Sequence, residues 1–523
     1  MSLYNQERLQ TIMLLQNYLL RAAQKYPDKE VLIHGDHRVT YATLRAAAMS
    51  VAGWLLAKEL EPGFRGALLT DDPFEYLAGY FGILLAGGVV VGLNTQTSVK
   101  ALRYTLEDSG AEALLVNRKF SRYLEAGLPA IPSVRALAMS GAADTSKKGS
   151  LPPYDSLTGI LDRKEVLSEQ DLPFRQSCDL AQIIYTSGTT GSPKGVMLRH
   201  ANLAANTSSI IEYLQLSGTD RVMAVLPFFY SYGNSVMLTH IAAGGSLVVN
   251  QSFLYPNVIL QQMVEHRVTG FSGVPSTYAL LLNRSAISKY SFPDLRYITQ
   301  AGAAMSPAMA KKLKSIFPGV KIYIMYGQTE ASARLSYLDP QELETRPGSI
   351  GKAIPGVTLS LRDQNGRFVP AGQTGEIVAR GGNIMAGYWQ RPGETAAVLR
   401  KEGLWTGDLA RQDKDGFFYI VSRKSDIIKS GSHRIGPKEI EDTLAVHPAV
   451  HEVAVVGVPD EILDERIRAC VVLKEDAKCS EKELIRLCRR ELPAYKVPQE
   501  ILFFKELPKT ATGKIKKAPL KNT

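Results

Sequence analysis

Apolar residues at helical spacing alternate with short apolar runs over the first part of the chain. Leu15 and Leu19 belong to an amphipathic helix predicted near residues 11–25, and residues 31–33 and 38–41 predict a hairpin. Further helices are predicted at residues 41–60, 73–86 and 98–108, with strands between them. This alternation predicts an α/β fold, in which helices wrap a parallel or mixed sheet.

One long uncharged stretch, residues 76–93, approaches the roughly 20 residues that span a bilayer. The stretch contains five glycines and is interrupted at Gly87 and Gly88. It therefore predicts a buried helix followed by a strand at residues 89–91, and no transmembrane segment is expected. The N-terminus lacks a basic region followed by an apolar core and a cleavage site, so no secretory signal is expected.

Composition limits the classes of function. A chain of 523 residues exceeds one ordinary core, so two or more domains are expected. The net charge of +10 is spread along the chain without an aromatic-basic platform, which favours small polyanions such as ATP and CoA over nucleic acid. The four cysteines form no C-x-x-C pair, which indicates free thiols in the cytoplasm and does not favour a zinc site.

The densest candidate chemistry is the run Y-T-S-G-T-T-G-S-P-K-G at residues 185–195, between two short apolar runs. Glycines let a backbone approach phosphate closely, hydroxyls donate hydrogen bonds, and a lysine supplies a mobile charge. The run is not a Walker A motif, because no Gly-Lys-Ser/Thr follows. It predicts a phosphate-binding loop whose contacts are Thr186, Ser187, Gly188, Thr189, Thr190, Gly191 and Lys194.

A second motif, Y-G-Q-T-E, follows the predicted strand at residues 321–325. Tyr326 is suited to lie against a purine, Gly327 to make the turn, and Thr329 to bind phosphate. The Glu330 carboxylate offers the hard oxygen ligand that Mg²⁺ prefers. The motif therefore predicts part of a nucleotide and Mg²⁺ site.

With these motifs in this order, nearly the whole chain resembles the superfamily of AMP-forming acyl/aryl-CoA synthetases, peptide-synthetase adenylation domains and luciferases, closest to the acyl-CoA ligases. The resemblance implies a large N-terminal domain, residues 1–422, with helix-wrapped sheets and a β-rich part. A small mobile α+β cap, residues 423–523, is implied to follow. The implied reaction uses ATP and Mg²⁺ to convert a carboxylic acid to an acyl-adenylate, and then transfers the acyl group to the thiol of CoA.

The same resemblance assigns roles to single residues. Asp408 matches the family residue that accepts hydrogen bonds from the ribose hydroxyls, and Arg423 matches one that contacts ribose or phosphate. Lys514 looks like the catalytic lysine, which neutralises the charge that builds between the attacking carboxylate and the α-phosphate. The other implied catalytic residues are Lys194, Thr329 and Glu330, and the other implied nucleotide contacts are Gly302, Ala303 and Ile420.

Aromatic residues follow the predicted strand at residues 222–226, at the sheet edge where α/β proteins collect ligands. By resemblance they line the carboxylic-acid pocket. Tyr230 stands where amino-acid-activating members carry an aspartate, so an α-amino acid is disfavoured and a fatty or aryl acid is expected. The predicted pocket residues are Phe229, Tyr230, Tyr232, Val274 and Gly302.

The segment that joins the two implied domains departs from the family pattern. Ser422 replaces a Gly or Asp, and Ser425 stands at the hinge position that is commonly Asp or Lys. Ser432 aligns with the glycine that lets the pantetheine arm pass, while Gly431 lies one place earlier. The implied hinge and thiol tunnel comprise Ser425, Gly431, Ser432 and Arg434, and cap rotation is implied to withdraw Lys514 between the half-reactions.

Several alternatives stay open on the sequence. CoA is the favoured acceptor, and the alternative is the phosphopantetheine of an acyl carrier protein that docks on the basic cap. From other classes, the chain is compatible with a non-catalytic nucleotide-binding regulator, and more remotely with a light-emitting monooxygenase. The length of the acid and the oligomeric state are not predicted.

Overall fold

The structure is a computed structural model that describes residues 14–96, 98–121, 131–141, 153–163, 167–186, 193–250, 255–430, 433–460, 463–509 and 515–523. Its α-helices in these ranges are α1 Gln16–Lys25, α2 Tyr41–Leu56, α3 Pro73–Leu85, α4 Val99–Ser109, α5 Leu157–Leu161, α6 His200–Leu214, α7 Ser231–Ala243, α8 Pro256–Glu265, α9 Pro275–Arg284, α10 Pro307–Ile316, α11 Pro392–Val398, α12 Pro437–Ala445, α13 Glu481–Glu491 and α14 Lys517–Lys521.

The strands in the same ranges are β1 Glu30–His34, β2 His37–Thr40, β3 Arg65–Leu69, β4 Val89–Gly92, β5 Ala113–Asn117, β6 Ala136–Ser140, β7 Asp155–Ser156, β8 Leu180–Thr186, β9 Lys194–Arg199, β10 Arg221–Ala224, β11 Ser246–Val249, β12 Gly270–Gly273, β13 Tyr297–Gln300, β14 Lys321–Tyr326, β15 Ser336–Leu338, β16 Lys352–Ala353, β17 Val357–Arg362, β18 Thr374–Gly381, β19 Gly387–Tyr388, β20 Leu399–Arg400, β21 Gly403–Gln412, β22 Phe418–Arg423, β23 Ile428–Ser430, β24 His433–Ile435, β25 Val450–Asp460, β26 Asp464–Leu473 and β27 Glu500–Phe504.

Two large mixed sheets form the first part of the molecule. One has nine strands in the order β16-β15-β14-β13-β12-β10-β11-β1-β2, and the other has eight in the order β19-β9-β8-β4-β3-β5-β6-β7. The neighbours from β10 to β14 pair in parallel, as do β3, β4, β5 and β8. Parallel strands present their carboxyl ends at one edge, which is where the predicted pocket residues follow β10 and β13.

The residues 76–93 illustrate how the apolar pattern becomes structure. Pro73 begins α3, and the Asp72 side chain caps it by accepting a hydrogen bond from the backbone N–H of Glu75 at 2.9 Å. The helix ends before Gly87, whose φ of +79° favours glycine, and β4 follows. The predicted buried helix and strand are confirmed, and no helix of the described residues is long and apolar enough to cross a membrane.

Helices and both large sheets share one apolar core. Leu44 of α2 and Leu77 of α3 are fully buried in it, together with Ala181 of β8 and Leu247 of β11. The predicted α/β class is therefore confirmed, since α2 and α3 bury apolar faces against sheet residues from distant parts of the chain.

Two smaller sheets complete the fold. The third sheet is antiparallel, in the order β17-β18-β21-β20 with β22 beside β21, and corresponds to the predicted β-rich part. The last sheet, in the order β24-β23-β26-β25 with β27 beside β26, packs with α12 and α13 around a core that includes Ile440, Ile467 and Leu484. This separate core confirms a smaller C-terminal domain.

Candidate active site

The predicted phosphate loop connects two antiparallel strands. Thr186 ends β8 and faces Lys194, which begins β9. Both residues therefore lie at the base of the loop, on the side of the eight-stranded sheet. The other predicted loop contacts, Ser187, Gly188, Thr189, Thr190 and Gly191, lie outside the described residues.

Tyr388 joins Lys194 to the Y-G-Q-T-E motif. The Lys194 ammonium lies 5.2 Å from the centre of the Tyr388 ring and also pairs with the Glu394 carboxylate. The Tyr388 hydroxyl donates to Glu330 Oε1 at 2.8 Å. Burial and the Glu330 charge raise the pKa of Tyr388 far above its ordinary value, so the hydroxyl stays a donor. The structure thus brings Lys194 and Glu330, far apart in sequence, to one place.

The Asp408 carboxylate is the centre of a second cluster. Tyr326 donates to its Oδ2 at 2.7 Å, and Arg423 Nε lies 2.9 Å from its Oδ1. Asp408 and Arg423 also pair across β21 and β22, and Asp408 is buried. The Asp408 charge raises the pKa of Arg423, and Ile420 packs beside Tyr326 against the same small core. A carboxylate has about four acceptor sites, so these two bonds leave room for ribose hydroxyls.

The predicted acid-pocket residues also meet. The Phe229 and Tyr230 ring centres are 4.4 Å apart, and the buried Tyr232 hydroxyl lies 2.9 Å from Thr299 Oγ1 on β13. Burial raises the pKa of Tyr230 to about 12. Just beyond the end of β13, Gly302 has a φ of +92°, and a Cβ there would lie 3.2 Å from Val274 Cγ1. The wall is therefore built from three neighbouring strand ends.

Ser231 links this pocket wall to the nucleotide motif. Its hydroxyl lies 3.2 Å from Thr329 Oγ1. Ala303, the other predicted contact near the adenine, accepts a hydrogen bond at its carbonyl from Gln300 Nε2 at 2.6 Å. The pocket wall and the nucleotide motif are therefore in direct contact.

Gly327 shows why the motif needs a glycine. A Cβ at this position would lie 2.0 Å from the carbonyl oxygen of Ala333, which is backbone and cannot move aside freely. We expect Gly327→Ala to lower the free energy of unfolding by about 2–3 kcal/mol, since overpacking forces the backbone apart. Urea unfolding checks this. The control is Gly393→Ala, because a methyl group at this position would extend into open space. We expect its urea midpoint of unfolding to be unchanged or higher.

The residue predicted to be the hinge lies between two sheets. Ser425 is the middle residue of the short turn Lys424–Asp426, after β22 ends at Arg423 and before β23 begins at Ile428. Arg434 pairs through its backbone with Lys429 in the last sheet. Gly431, Ser432 and Lys514 lie outside the described residues, so their roles stay predictions from the sequence.

Tyr388 contacts two candidate site residues, Lys194 and Glu330, and the sequence analysis missed it. The sequence analysis assigned Tyr388 no role, yet it pairs with Val196 next to the phosphate loop. Trp389 fixes this register, because its N–H donates to the Gly195 carbonyl at 2.7 Å and its indole N–H to the Asp108 carbonyl at 2.9 Å. The contact between Tyr388 and Glu330 depends on how β19 pairs with β9, so it cannot be recognised until the strand pairing is known.

A cluster in the C-terminal domain was also not visible in the sequence. Cys479 Sγ lies 3.9 Å from His447 Nε2, which is 3.4 Å from Glu483 Oε1. Burial, followed by the Glu483 charge, raises the pKa of Cys479. The three side chains offer ligand atoms within 4.8 Å of one another, a spacing compatible with a divalent cation, and Glu483 is half exposed.

Lys194 and Glu330 brought to one place, beside an aromatic wall in contact with the Y-G-Q-T-E motif, are the arrangement predicted for an adenylate-forming enzyme. The chain belongs to the family of AMP-binding enzymes: residues 19–389 match the AMP-binding enzyme model, and residues 439–514 match the AMP-binding enzyme C-terminal domain. The first match covers Lys194, Glu330, Tyr388 and the pocket wall, and the second covers most of the smaller domain, while Asp408 and Arg423 lie between the two matched segments.

Individual relatives cover nearly the full chain. A long-chain-fatty-acid–CoA ligase of Bacillus subtilis is 33% identical over 96% of this chain and 93% of its own length. A feruloyl-CoA synthase of an Amycolatopsis species is 32% identical over 97% of this chain and 98% of its own. Among solved structures, an anthranilate CoA ligase in complex with anthranoyl-AMP matches with a TM-score of 0.88 and 28% identity, covering 97% of this chain and 96% of that one.

These findings confirm the predicted class. The chain is an AMP-forming acid–thiol ligase of the acyl-CoA synthetase type, which uses ATP to activate a carboxylic acid as an acyl-adenylate and forms the CoA thioester. The predicted superfamily and the architecture of a large domain followed by a smaller one are confirmed by the same matches.

Proposed function

We propose that the residues assembled around Tyr388 and Asp408 bind Mg·ATP and carry out adenylation. The observation that supports this most strongly is the Tyr388 bridge, which places the Lys194 ammonium and the Glu330 carboxylate at one site. Lys194 binds the phosphates together with the loop from Thr186 to Gly191. Tyr326, Ala303 and Ile420 contact the adenosine.

In the first half-reaction a carboxylate oxygen of the acid attacks the α-phosphorus of ATP in line. The new bond is the P–O bond of a mixed anhydride, and the bond to pyrophosphate breaks. Both reactants are anionic, so Lys194, Arg423 and Lys514 act by placing positive charge at the reacting groups. The enzyme needs no nucleophilic side chain for this step.

Glu330 is the residue that would hold Mg²⁺. Its carboxylate is partly exposed and oriented by Tyr388 through one oxygen, and a carboxylate offers about four acceptor sites, so this single bond does not exhaust it. A hard oxygen ligand of this kind suits Mg²⁺, which usually keeps waters and shares phosphate oxygens. Bound Mg²⁺ supplies charge neutralisation at the phosphates.

In the second half-reaction a thiol attacks the carbonyl carbon of the mixed anhydride and AMP leaves. We place the domain boundary between residues 422 and 423 and the hinge at Ser425, which is supported by its position in the turn between two sheets. The acceptor is CoA, in line with the relatives. A carrier-protein phosphopantetheine is the alternative, and it would show rates that fall with salt because it docks on a basic surface.

The acid is proposed to be fatty or aryl, since the relatives include enzymes named for long-chain fatty acids and for feruloyl-CoA. The aromatic wall of Phe229, Tyr230 and Tyr232 supports the same classes. The described cysteines are free, which supports the cytoplasm as the compartment. Product analysis tests the function: AMP, pyrophosphate and acyl-CoA in equal amounts are expected, and ADP with phosphate would contradict it.

Asp408→Asn tests the ribose contact. We expect it to raise the KM for ATP about tenfold, because a hydrogen bond to a charged acceptor is replaced by one to a neutral amide. The KM for the acid should stay within twofold, since Asp408 contacts Tyr326 and Arg423 rather than the pocket wall. Steady-state kinetics with each substrate varied measures the split. An equal rise in both KM values would indicate a general distortion of the site.

A further inference from the structure

Among the arginines whose side chains the structure describes, Arg334 and Arg468 are more than nine-tenths buried. Only Arg468 has a carboxylate partner among the described residues. Arg468 Nε lies 2.8 Å from Glu500. Arg334 is 3% exposed, and none of the ion pairs between described residues includes it. A buried charge is strongly unfavourable unless it is paired, so the isolated Arg334 charge needs an explanation.

The described groups that contact the Arg334 guanidinium are all neutral. Its Nε lies 3.3 Å from Met325 Sδ, and Nη1 donates to the Ala333 carbonyl at 3.2 Å. The guanidinium carbon lies 4.1 Å from the centre of the Tyr232 ring, and the Tyr213 hydroxyl donates to the same Met325 Sδ at 3.1 Å. A thioether is a weak acceptor and an aromatic face offsets only part of the cost of desolvation. The cation is therefore stabilised in place without being neutralised.

The backbone holds Arg334 in this position. Its carbonyl accepts hydrogen bonds from Asn383 Nδ2 at 2.8 Å and from Asn206 Nδ2 at 3.2 Å, and both asparagines are buried. The two preceding residues, Ser332 and Ala333, have φ angles of 56° and 118°, which are uncommon for residues other than glycine. Strained backbone held by its surroundings is typical of ligand-binding sites.

Arg334 faces the inner side of the pocket wall. Tyr232, on which it stacks, belongs to that wall, and the adjacent Ser231 contacts the nucleotide motif. A cavity of about 10 Å³ beside Arg334 has roughly the space of one water molecule. Its lining includes the hydroxyl residues Tyr213, Ser235, Thr239, Ser272 and Thr299. Apolar side chains such as Ile210, Leu214 and Val236 complete the lining, so the cavity beside the Arg334 cation is small and mixed in polarity, and it has no room for a long alkyl chain.

We propose that Arg334 makes the acid pocket selective for a short acid whose tail carries a second carboxylate. This rests on the proposed function, in which Tyr232 walls the acid pocket. A guanidinium binds a carboxylate through two parallel hydrogen bonds, and the bound substrate then supplies the counter-charge that no described residue provides. A long alkyl tail would cover the cation with apolar atoms, so within the fatty and aryl classes proposed above we expect short diacids to be better substrates than long-chain acids.

The test compares matched acids with and without the second carboxylate. Adipate is compared with hexanoate, and terephthalate with benzoate, by ATP–pyrophosphate exchange. Wild-type enzyme is expected to favour the diacid of at least one pair at least thirtyfold in kcat/KM. Arg334→Met, which keeps much of the side-chain volume, is expected to lower kcat/KM for that diacid about a hundredfold and to raise it for the monoacid.

Arg334→Lys is the second variant, because it keeps the charge and loses the two-pronged geometry. We expect it to reduce the diacid preference about tenfold and to fold whether or not Arg334→Met does. A wild-type preference for the monoacids, or an equal loss for all acids in both variants, would overturn the inference and leave the proposed function standing. The absence of exchange with every acid in wild-type enzyme would instead overturn both.

Discussion

Glu330→Gln lowers carboxylate-dependent ATP–pyrophosphate exchange by about 10²–10³-fold, which is the scale for removing one charge-stabilising group from a preorganised site. Glutamine has nearly the same shape, and its amide oxygen still accepts the hydrogen bond from Tyr388, so the local fold is retained. What is lost is the negative charge that makes Glu330 a ligand for Mg²⁺. Exchange rates at saturating acid, over a range of Mg²⁺ concentrations, measure the effect.

The control for this substitution is Glu212→Gln. Glu212 is exposed on α6 and contacts none of the proposed site residues. The exchange rate of the Glu212→Gln variant should therefore stay within twofold of wild type. Thermal unfolding of both variants shows whether the fold is intact. A Glu330→Gln enzyme that keeps a third or more of wild-type exchange would show that this carboxylate does not serve the nucleotide.

Lys514→Ala has the second large expected effect, and it separates the two half-reactions. The adenylation rate falls about 10²–10³-fold, because the Lys514 ammonium no longer stabilises the negative charge that builds between the carboxylate and the α-phosphate. Thioester formation from preformed acyl-adenylate and CoA stays within threefold, since that step breaks no bond to pyrophosphate. Each half-reaction is measured separately, by exchange and by acyl-CoA formation.

Lys516→Ala is the matched control, because Lys516 is an exposed lysine of the same basic tail. It should leave both half-reactions unchanged. Two results would speak against the assignment of Lys514: equal losses in the two half-reactions, or a loss in Lys516→Ala as large as that in Lys514→Ala. The first would point to a disturbed fold and the second to a general effect of tail charge.

Most of the architecture is predictable because hydrophobic periodicity is a local signal. The helix predicted at residues 73–86 ends at Leu85, and the strand predicted at residues 89–91 is β4, which extends to Gly92. Observed and predicted helix ends differ where packing decides the last turn. For example, α2 ends at Leu56, whereas the sequence predicted residue 60. Strand order within a sheet is not local, so the nine-stranded and eight-stranded arrangements required the structure.

The site is predictable only as far as its residues lie within short motifs. The proposed roles of Lys194 and Glu330 follow from residue types beside strand ends, and that of Asp408 follows from the resemblance to the family. Their mutual geometry does not, since Tyr388 meets Glu330 across 58 residues and through strand pairing. The register that creates these contacts depends on the whole fold.

Arg334 shows the same limit in another form. It lies four residues after Glu330, yet nothing in the sequence distinguishes it from the many arginines on the surface. Charged side chains are mostly exposed, so a sequence alone gives no reason to predict that one arginine is buried without a carboxylate partner. Only the packing of Tyr232 and Met325 around it reveals a charge without a counter-charge.

The central claim is that this site forms an acyl-adenylate. The most direct test is carboxylate-dependent ATP–pyrophosphate exchange without CoA, across short and long fatty acids, diacids, aryl acids and amino acids. We expect exchange that depends on one class of acid, is absent with amino acids, and is lost in Lys514→Ala. An enzyme that binds ATP but shows no exchange with any acid of the panel would contradict adenylation.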